Sequence, residues 1–206
     1  QAAALSTNQV AALSSNQVAA LETRDLAAMK TAQIQALSTA QISAGLTSAQ
    51  LAAMTTAQIA ALSTNQVANG LTTNQIVGLT TAQAAALTTA QAASLSTQQI
   101  AAISTATVAA LKTNQIAALS TSQVANGLTT NQIAALSTAQ AAALSTNQVA
   151  ALSTNQVAAL ETRDLAALKT AQIQSLSTAQ LSAGLTTAQL AALTTAYRGI
   201  LGKRRG

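Results

Sequence analysis

The sequence predicts an all-α solenoid of very short capped helices, with one helix in each eight-residue repeat and no strands. Two observations carry this prediction. A large apolar residue recurs every eight positions, and a helix-start signal recurs with the same period. When a repeat is counted from each large apolar residue, 24 consecutive repeats run from Leu5 to Ile200, twenty of eight residues and four of nine. We call these repeats octads.

The eight positions of an octad differ in what they tolerate. Position one is Leu, Met or Ile in every octad, and position three is always Thr or Ser. Position six is usually Ile, Val or Leu, and positions seven and eight are mostly Ala. Position five is Gln in 20 of the 24 octads, and the exceptions are Asp25, Thr107, Asp164 and Tyr197. This selectivity assigns positions one and six to the core.

Positions two to five form a helix-start signal. In Ser153-Thr154-Asn155-Gln156, a hydroxyl can accept from the first backbone N–H groups of a helix while the Gln side chain reaches back, which is a capping box. Position two is Ser or Thr in 19 octads and is Glu or Lys in the others. The invariant hydroxyl at position three is therefore a rival cap. We favour position two and keep both alternatives open.

A single long helix does not fit the period. Eight residues advance an α-helix by about 800°, which displaces an apolar stripe by about 80° per octad. No partner could follow such a stripe, so the chain must turn once per octad. Strands fit no better, because Gln, Ala and Asn are poor strand residues. The remaining solution is a stack of short helices stabilised by their neighbours, since isolated helices of this length do not form.

The four nine-residue repeats share one feature. Each carries an added Gly just before the next Leu, in the pairs Ala44-Gly45, Asn69-Gly70, Asn126-Gly127 and Ala183-Gly184. Gly is the usual residue for a left-handed helix C-cap that redirects the chain. We expect these glycines to take that conformation. The last three lie 57 residues apart, which indicates a correction for accumulated twist.

The composition leaves little chemistry for catalysis or ligand binding. The chain has no Cys, His, Pro, Phe or Trp, and only 6% of its residues are charged. Without Cys or His there is no thiolate or imidazole, so we predict no enzymatic activity, no catalytic, cofactor-binding or metal-binding residues and no cofactor. The carboxylates Glu22 and Asp25 recur as Glu161 and Asp164, and we interpret both copies as structural substitutions at a helix start that the helix dipole favours.

Charge and hydropathy exclude two further classes of partner. Four of the nine basic residues, Arg198, Lys203, Arg204 and Arg205, lie at the C-terminal end, so residues 1–197 are nearly neutral. A nucleic-acid surface needs a basic stripe, and we expect no nucleic acid to bind the array. Apolar runs are far shorter than a transmembrane helix, so we expect no membrane span. We predict one solenoid domain over residues 1–200 and a basic tail over residues 201–206.

The octads resemble a known repeat type. Residues 46–53, LTSAQLAA, show the pattern of the repeat regions of large bacterial surface or secreted proteins that are often labelled as adhesion or haem-utilisation proteins. The resemblance implies an extracellular or cell-surface location and a role as a spacer or adhesin stalk. It does not carry a haem site to this chain, because only Tyr197, Met29 and Met54 could supply ligands.

Three non-enzymatic functions follow as hypotheses. The first is an extracellular spacer or adhesin stalk, which would contact surface glycans or proteins. The second is a self-assembling filament segment, whose copies would stack end to end. The alternative is an ice-binding solenoid, because the hydroxyls at positions two and three would stack into Ser/Thr rows along its face.

Overall fold

The computed structural model describes residues 2–193, and all regular elements in that range are helical. It begins with a short 3₁₀ helix, Ala2–Ala4, and continues with twenty α-helices that lie wholly within this range. Residues 187–193 are also helical. In the first part of the chain these are Thr7–Ala11 (α1), Ser15–Ala19 (α2), Thr23–Ala28 (α3), Thr31–Gln35 (α4), Thr39–Gly45 (α5), Ser48–Ala53 (α6), Thr56–Ala61 (α7), Thr73–Val77 (α8), Thr81–Ala86 (α9), Thr89–Ser94 (α10), Thr97–Ala102 (α11) and Thr105–Ala109 (α12).

The remaining α-helices are Thr113–Ala117 (α13), Thr130–Ala134 (α14), Thr138–Ala143 (α15), Thr146–Ala151 (α16), Thr154–Ala159 (α17), Thr162–Ala166 (α18), Thr170–Gln174 (α19) and Thr178–Ala183 (α20). Two π-helical segments, Gln66–Gly70 and Gln123–Gly127, each form most of the helix in one octad. The chain divides into two compact units, Gln1–Leu111 and Lys112–Gly206. The prediction of one short helix per octad without strands is thus confirmed over the described residues.

Each of the twenty α-helices begins at position three, and a Ser or Thr at position two caps it where that residue is present. In α17, Ser153 has an extended backbone and its Oγ accepts a hydrogen bond from Gln156 N at 3.1 Å. The Gln156 Oε1 accepts in return from Ser153 N at 2.8 Å, which completes the capping box. The structure therefore decides between the two candidate caps in favour of position two. Where position two is Lys, as at Lys30, the side chain makes no cap hydrogen bond, and only the bond from the Lys30 backbone N–H to Gln33 Oε1 remains.

The chain turns at positions one and two, where two extended residues separate consecutive helices. Leu160 N bonds to Val157 O at 3.2 Å, which closes the last turn of α17. Leu160 then has φ −60° and ψ 133°, and Glu161 has φ −66° and ψ 147°. The large apolar residue at position one thus lies at the corner of the solenoid, and no Gly or Pro is needed there.

Three octads make one coil of the solenoid within each unit. In the first unit, α2 packs on α5, α4 packs on α7 and α8 packs on α11. In the second unit, α14 packs on α17, α15 packs on α18 and α16 packs on α19. Within each unit, helices therefore pack on the third helix along the chain, once the π-helical segments are counted as helices. The sequence period does not give this number, because it depends on the turn angle at each corner.

The core of each unit is built from positions one and six. Ile59 at position six is fully buried and Leu62, at position one of the next octad, is 4% exposed. They are three residues apart and line the inner face of the same helix and corner. Ala replaces the larger residue at position six in three octads and is also buried, at Ala84, Ala92 and Ala141. The assignment of positions one and six to the core is confirmed.

The prediction of left-handed glycine caps is wrong. No glycine in the described part of the chain has a positive φ. The added residue is instead absorbed by a longer or wider last turn. Leu46 N reaches Ile42 O, four residues back, and Leu71 N reaches Gln66 O, five residues back. Glycine is needed at Gly45 for a different reason, since a Cβ there would lie 2.8 Å from the backbone oxygen of Ser15 in the preceding coil.

Candidate functional site

The most regular polar feature of the structure is a buried ladder of position-five glutamines. Gln58 is 2% exposed, and its Nε2 donates to Leu26 O at 2.8 Å and to Met29 O at 2.7 Å. Both carbonyls belong to the preceding coil. The same side chain accepts from Thr55 N at 2.8 Å. One amide therefore caps its own helix and also joins two successive coils.

This arrangement recurs along both units and defines what we call the glutamine ladder. Its members donate to carbonyls 28 to 33 residues earlier. They include Gln33, Gln41, Gln50, Gln58, Gln66, Gln75, Gln83, Gln91 and Gln99 in the first unit, and Gln148, Gln156, Gln172, Gln180 and Gln189 in the second. Sequence reasoning assigned these residues to the cap alone. Glu would serve a capping box as well as Gln does. The near-invariance of Gln at position five is therefore the sequence signal for its second role, the hydrogen bonds to the preceding coil.

Three exceptions at position five, Asp25, Thr107 and Asp164, lie within the described residues. Thr107 accepts from Ser104 Oγ at 2.8 Å and donates to Leu79 O at 3.4 Å, so a shorter side chain keeps a longer contact to the preceding coil. Asp164 is fully buried and its Oδ1 accepts from Thr138 Oγ1 at 2.6 Å. Its Oδ2 has no hydrogen-bond partner among the described residues. Tyr197, the fourth exception, lies outside the described residues.

The two copied acidic clusters differ in burial. Arg24 pairs with Glu22, and both side chains are well exposed. Arg163 pairs with Glu161 at 2.7 Å and approaches Asp164 Oδ1 at 3.6 Å, although Asp164 itself is inaccessible. Exposed pairs of this kind contribute about 0–1 kcal/mol to folding. The Glu–Arg pairs are therefore minor surface contacts, and the buried carboxylate of Asp164 is the unusual group.

The outer surface of the solenoid carries rows of threonine. Position-three hydroxyls do not cap the helices, and most have no hydrogen-bond partner in the described part of the protein. Because three octads make a coil, residues three octads apart fall in one row. One row of the first unit is Thr7, Thr31, Thr56, Thr81 and Thr105, and one row of the second is Thr121, Thr146 and Thr170. All eight of these residues are exposed.

No group of three or more His, Cys, Asp or Glu side chains within residues 2–193 lies close enough to hold a metal ion. None of the described helices has both the length and the apolar character that a membrane crossing requires. A shallow groove lies beside the second acidic cluster and is lined by Leu160, Glu161, Arg163, Thr186 and Gln189. It is open and holds no constellation of groups suited to catalysis.

These features define a class of protein: a helical solenoid built from tandem octads, most of which are joined to the preceding coil by a buried glutamine. The chain belongs to the ALTTAQ repeat family, whose model matches residues 18–56, 44–69, 93–126, 126–154 and 157–195. The motif that gives the family its name stands unaltered at residues 86–91. No curated protein and no solved structure matches the chain.

Proposed function

We propose that this chain is a non-enzymatic structural repeat array that serves as an extracellular spacer or adhesin stalk. The glutamine ladder is the observation that supports the proposal. Each rung joins a helix to the coil before it, so contacts inside a unit extend over about one coil of sequence. An array of this kind gains length with every added repeat and needs no repeat of special chemistry.

The composition and the resemblance support the same proposal. The described surface is dominated by Thr, Ser, Asn and Ala, and a uniform surface suits a spacer better than a recognition site. The extracellular or cell-surface location follows from the resemblance to bacterial surface repeat regions. Adhesion would use the exposed hydroxyl and amide side chains toward glycans or proteins.

Small-angle scattering on arrays of 12 and 24 octads tests the spacer. For an extended array the radius of gyration rises about twofold when the number of octads doubles. A globule of the same mass would gain a factor of only about 1.3, since its radius grows as the 0.38 power of length. The smaller ratio would refute the spacer. A chain that contains the same octads in a different order, with each octad kept intact, is the composition-matched control.

A filament is a variant of the same proposal. Leu181 and Leu190 occupy position six, where most other described octads bury the side chain, yet they are 40% and 52% exposed. A second copy that stacked on this surface would bury them, and head-to-tail contacts of this kind generate filaments. Sedimentation velocity over a range of concentrations tests the variant. Replacing both leucines by Gln should abolish any association, and a wild-type chain that stays monomeric at high concentration would count against it.

Ice binding is the alternative that one observation favours. The position-three hydroxyls are free of the caps, so rows such as Thr31, Thr56 and Thr81 present both methyl and hydroxyl groups to solvent. The test is the gap between the melting and freezing points of a solution of the protein. Replacing these three threonines by Lys should abolish a gap if it exists, while Thr107→Val, at a buried site, should leave it unchanged. Absence of a gap at millimolar concentration would remove this alternative.

A further inference from the structure

The carboxylate of Asp164 is fully buried at position five of its octad. Asp164 replaces a rung of the glutamine ladder, but a carboxylate has no N–H to donate. Its Oδ1 is engaged by Thr138 Oγ1, and its Oδ2 is shielded from solvent and has no partner within residues 2–193. A buried ionised oxygen without a partner is costly, so the site calls for a positively charged or donating group.

The register of the ladder identifies the groups that face Asp164. Gln180 donates to Val149 O and Leu152 O, which lie 31 and 28 residues earlier. The same offsets from Asp164 lead to the carbonyl oxygens of Ile133 and Leu136. Neither carbonyl receives a side-chain amide among the described residues. The register therefore implies that these two carbonyl oxygens lie beside Asp164 Oδ2, with no side-chain amide among the described residues to bridge them.

The local charge is also negative. Glu161, Arg163 and Asp164 together carry one net negative charge, and Arg163 is shared with Glu161 at 2.7 Å. Helix α15, which packs against α18, contains no charged residue. The octad has also lost its capping box, because Glu161 makes no side-chain cap hydrogen bond. The substitution at position five thus exchanges the amide bridge for one hydrogen bond from Thr138 and an approach by Arg163, and it leaves Asp164 Oδ2 without a partner among the described residues.

We propose that this site binds one hard cation of the Ca²⁺ or Na⁺ type, coordinated by Asp164 Oδ2 and by the carbonyl oxygens of Ile133 and Leu136. Carboxylate and carbonyl oxygens are the ligands that such ions prefer, and Ca²⁺ accepts irregular geometry. Ca²⁺ takes six to eight oxygen ligands, so water that enters with the ion would supply the rest of its shell. Mg²⁺ fits less well, because it demands near-ideal octahedral geometry. The bound ion would take the place of the missing glutamine and join the two coils.

The test compares the full-length chain with Asp164→Gln after removal of metal by a chelator. Thermal unfolding is followed by far-ultraviolet circular dichroism in choline chloride, with Ca²⁺ added in one arm and Na⁺ in the other. Wild type should gain about 5 °C in Tm when the ion is in large excess over its Kd. Asp164→Gln restores the rung, so it should have a higher Tm than metal-free wild type and show no rise with either ion.

Equilibrium dialysis with radioactive Ca²⁺ adds a readout that does not depend on stability. Wild type should hold about one ion per chain at saturation, and Asp164→Gln should hold none although it is well folded. Asp25→Gln is the matched control, since Asp25 has the same flanking sequence but is only half-buried; it should retain the ion and the rise in Tm. An unchanged Tm in both arms for wild type would overturn the proposal, as would a rise that survives in Asp164→Gln. A rise in the Na⁺ arm alone would assign the site to a monovalent ion.

Discussion

At the scale of single residues, the position-five glutamine matters most because its amide serves two partners at once. Its Oε1 accepts from the backbone of its own helix, and its Nε2 donates to the preceding coil. Glu would repel the carbonyls and Asn would be too short to reach them. The amide of Gln is therefore the side chain that fits both tasks, which explains its recurrence in 20 of 24 octads.

Gln156→Met should destabilise the protein by about 2–4 kcal/mol. Met has a similar volume, but it leaves Val124 O, Leu128 O and Ser153 N without their hydrogen-bond partner in a buried site. Each unpaired group costs about 1–3 kcal/mol, and local relaxation reduces the total. Urea unfolding measures the difference in free energy. Gln17→Met is the matched control, because Gln17 is exposed and forms only the capping box. Equal losses for the two variants would show that the inter-coil amide contributes nothing.

At the scale of the helix, the ends decide stability because they make up most of the element. An α-helix of five to seven residues, such as α1 or α5, has few internal i→i+4 hydrogen bonds. Its first N–H groups depend on the position-two hydroxyl, and its last carbonyls depend on the next coil. Such helices form only as part of the stack.

Ser153→Ala should cost about 0.5–2 kcal/mol, the usual value of an N-cap. Thr154→Val should be close to neutral, since the Thr154 hydroxyl has no hydrogen-bond partner among the described residues. Thermal unfolding of the two variants side by side measures the ranking. The opposite order would place the cap at position three and shift the start of each helix by one residue.

Gly45→Ala should destabilise more than Gly70→Ala. The added Cβ at Gly45 would lie 2.8 Å from a backbone oxygen of Ser15, which cannot move without disturbing the preceding coil. At Gly70 the nearest atom is Cγ2 of Ile42 at 3.3 Å, a side chain that can adjust. We expect a loss of about 1–3 kcal/mol for the first and less than about 1 kcal/mol for the second. Comparable losses in urea unfolding would contradict this account.

At the scale of the whole molecule, stability comes from the interfaces between coils. Each coil of three octads buries its position-one and position-six side chains against its neighbours within the unit. A lone coil has no preceding carbonyls for its glutamines and no neighbour for its apolar face. The free energy of folding should therefore rise with the number of interfaces.

A segment of residues 136–159, which holds three octads, should remain unfolded in water. A segment of residues 119–192, which holds nine octads, should be helical, because it contains three coils of the second unit. Far-ultraviolet circular dichroism of the two segments measures the contrast. A helical three-octad segment would show that the octads fold independently, contrary to a stack stabilised by its interfaces.

The octad pattern alone determined the all-α class, one capped helix per octad and the identity of the core positions. These features depend on local spacing, such as the three residues between Ser153 and Gln156 or between Ile59 and Leu62, and local spacing is written in the sequence. The three octads per coil, the second role of Gln58 and the burial of Asp164 became visible only in the tertiary structure. They depend on which residues meet some 25 to 33 positions apart, and that distance follows from the turn angle at each corner. The prediction of left-handed glycine caps was wrong for the same reason. Gly45 is required by the close approach of Ser15 in another coil, and its own backbone conformation does not require glycine.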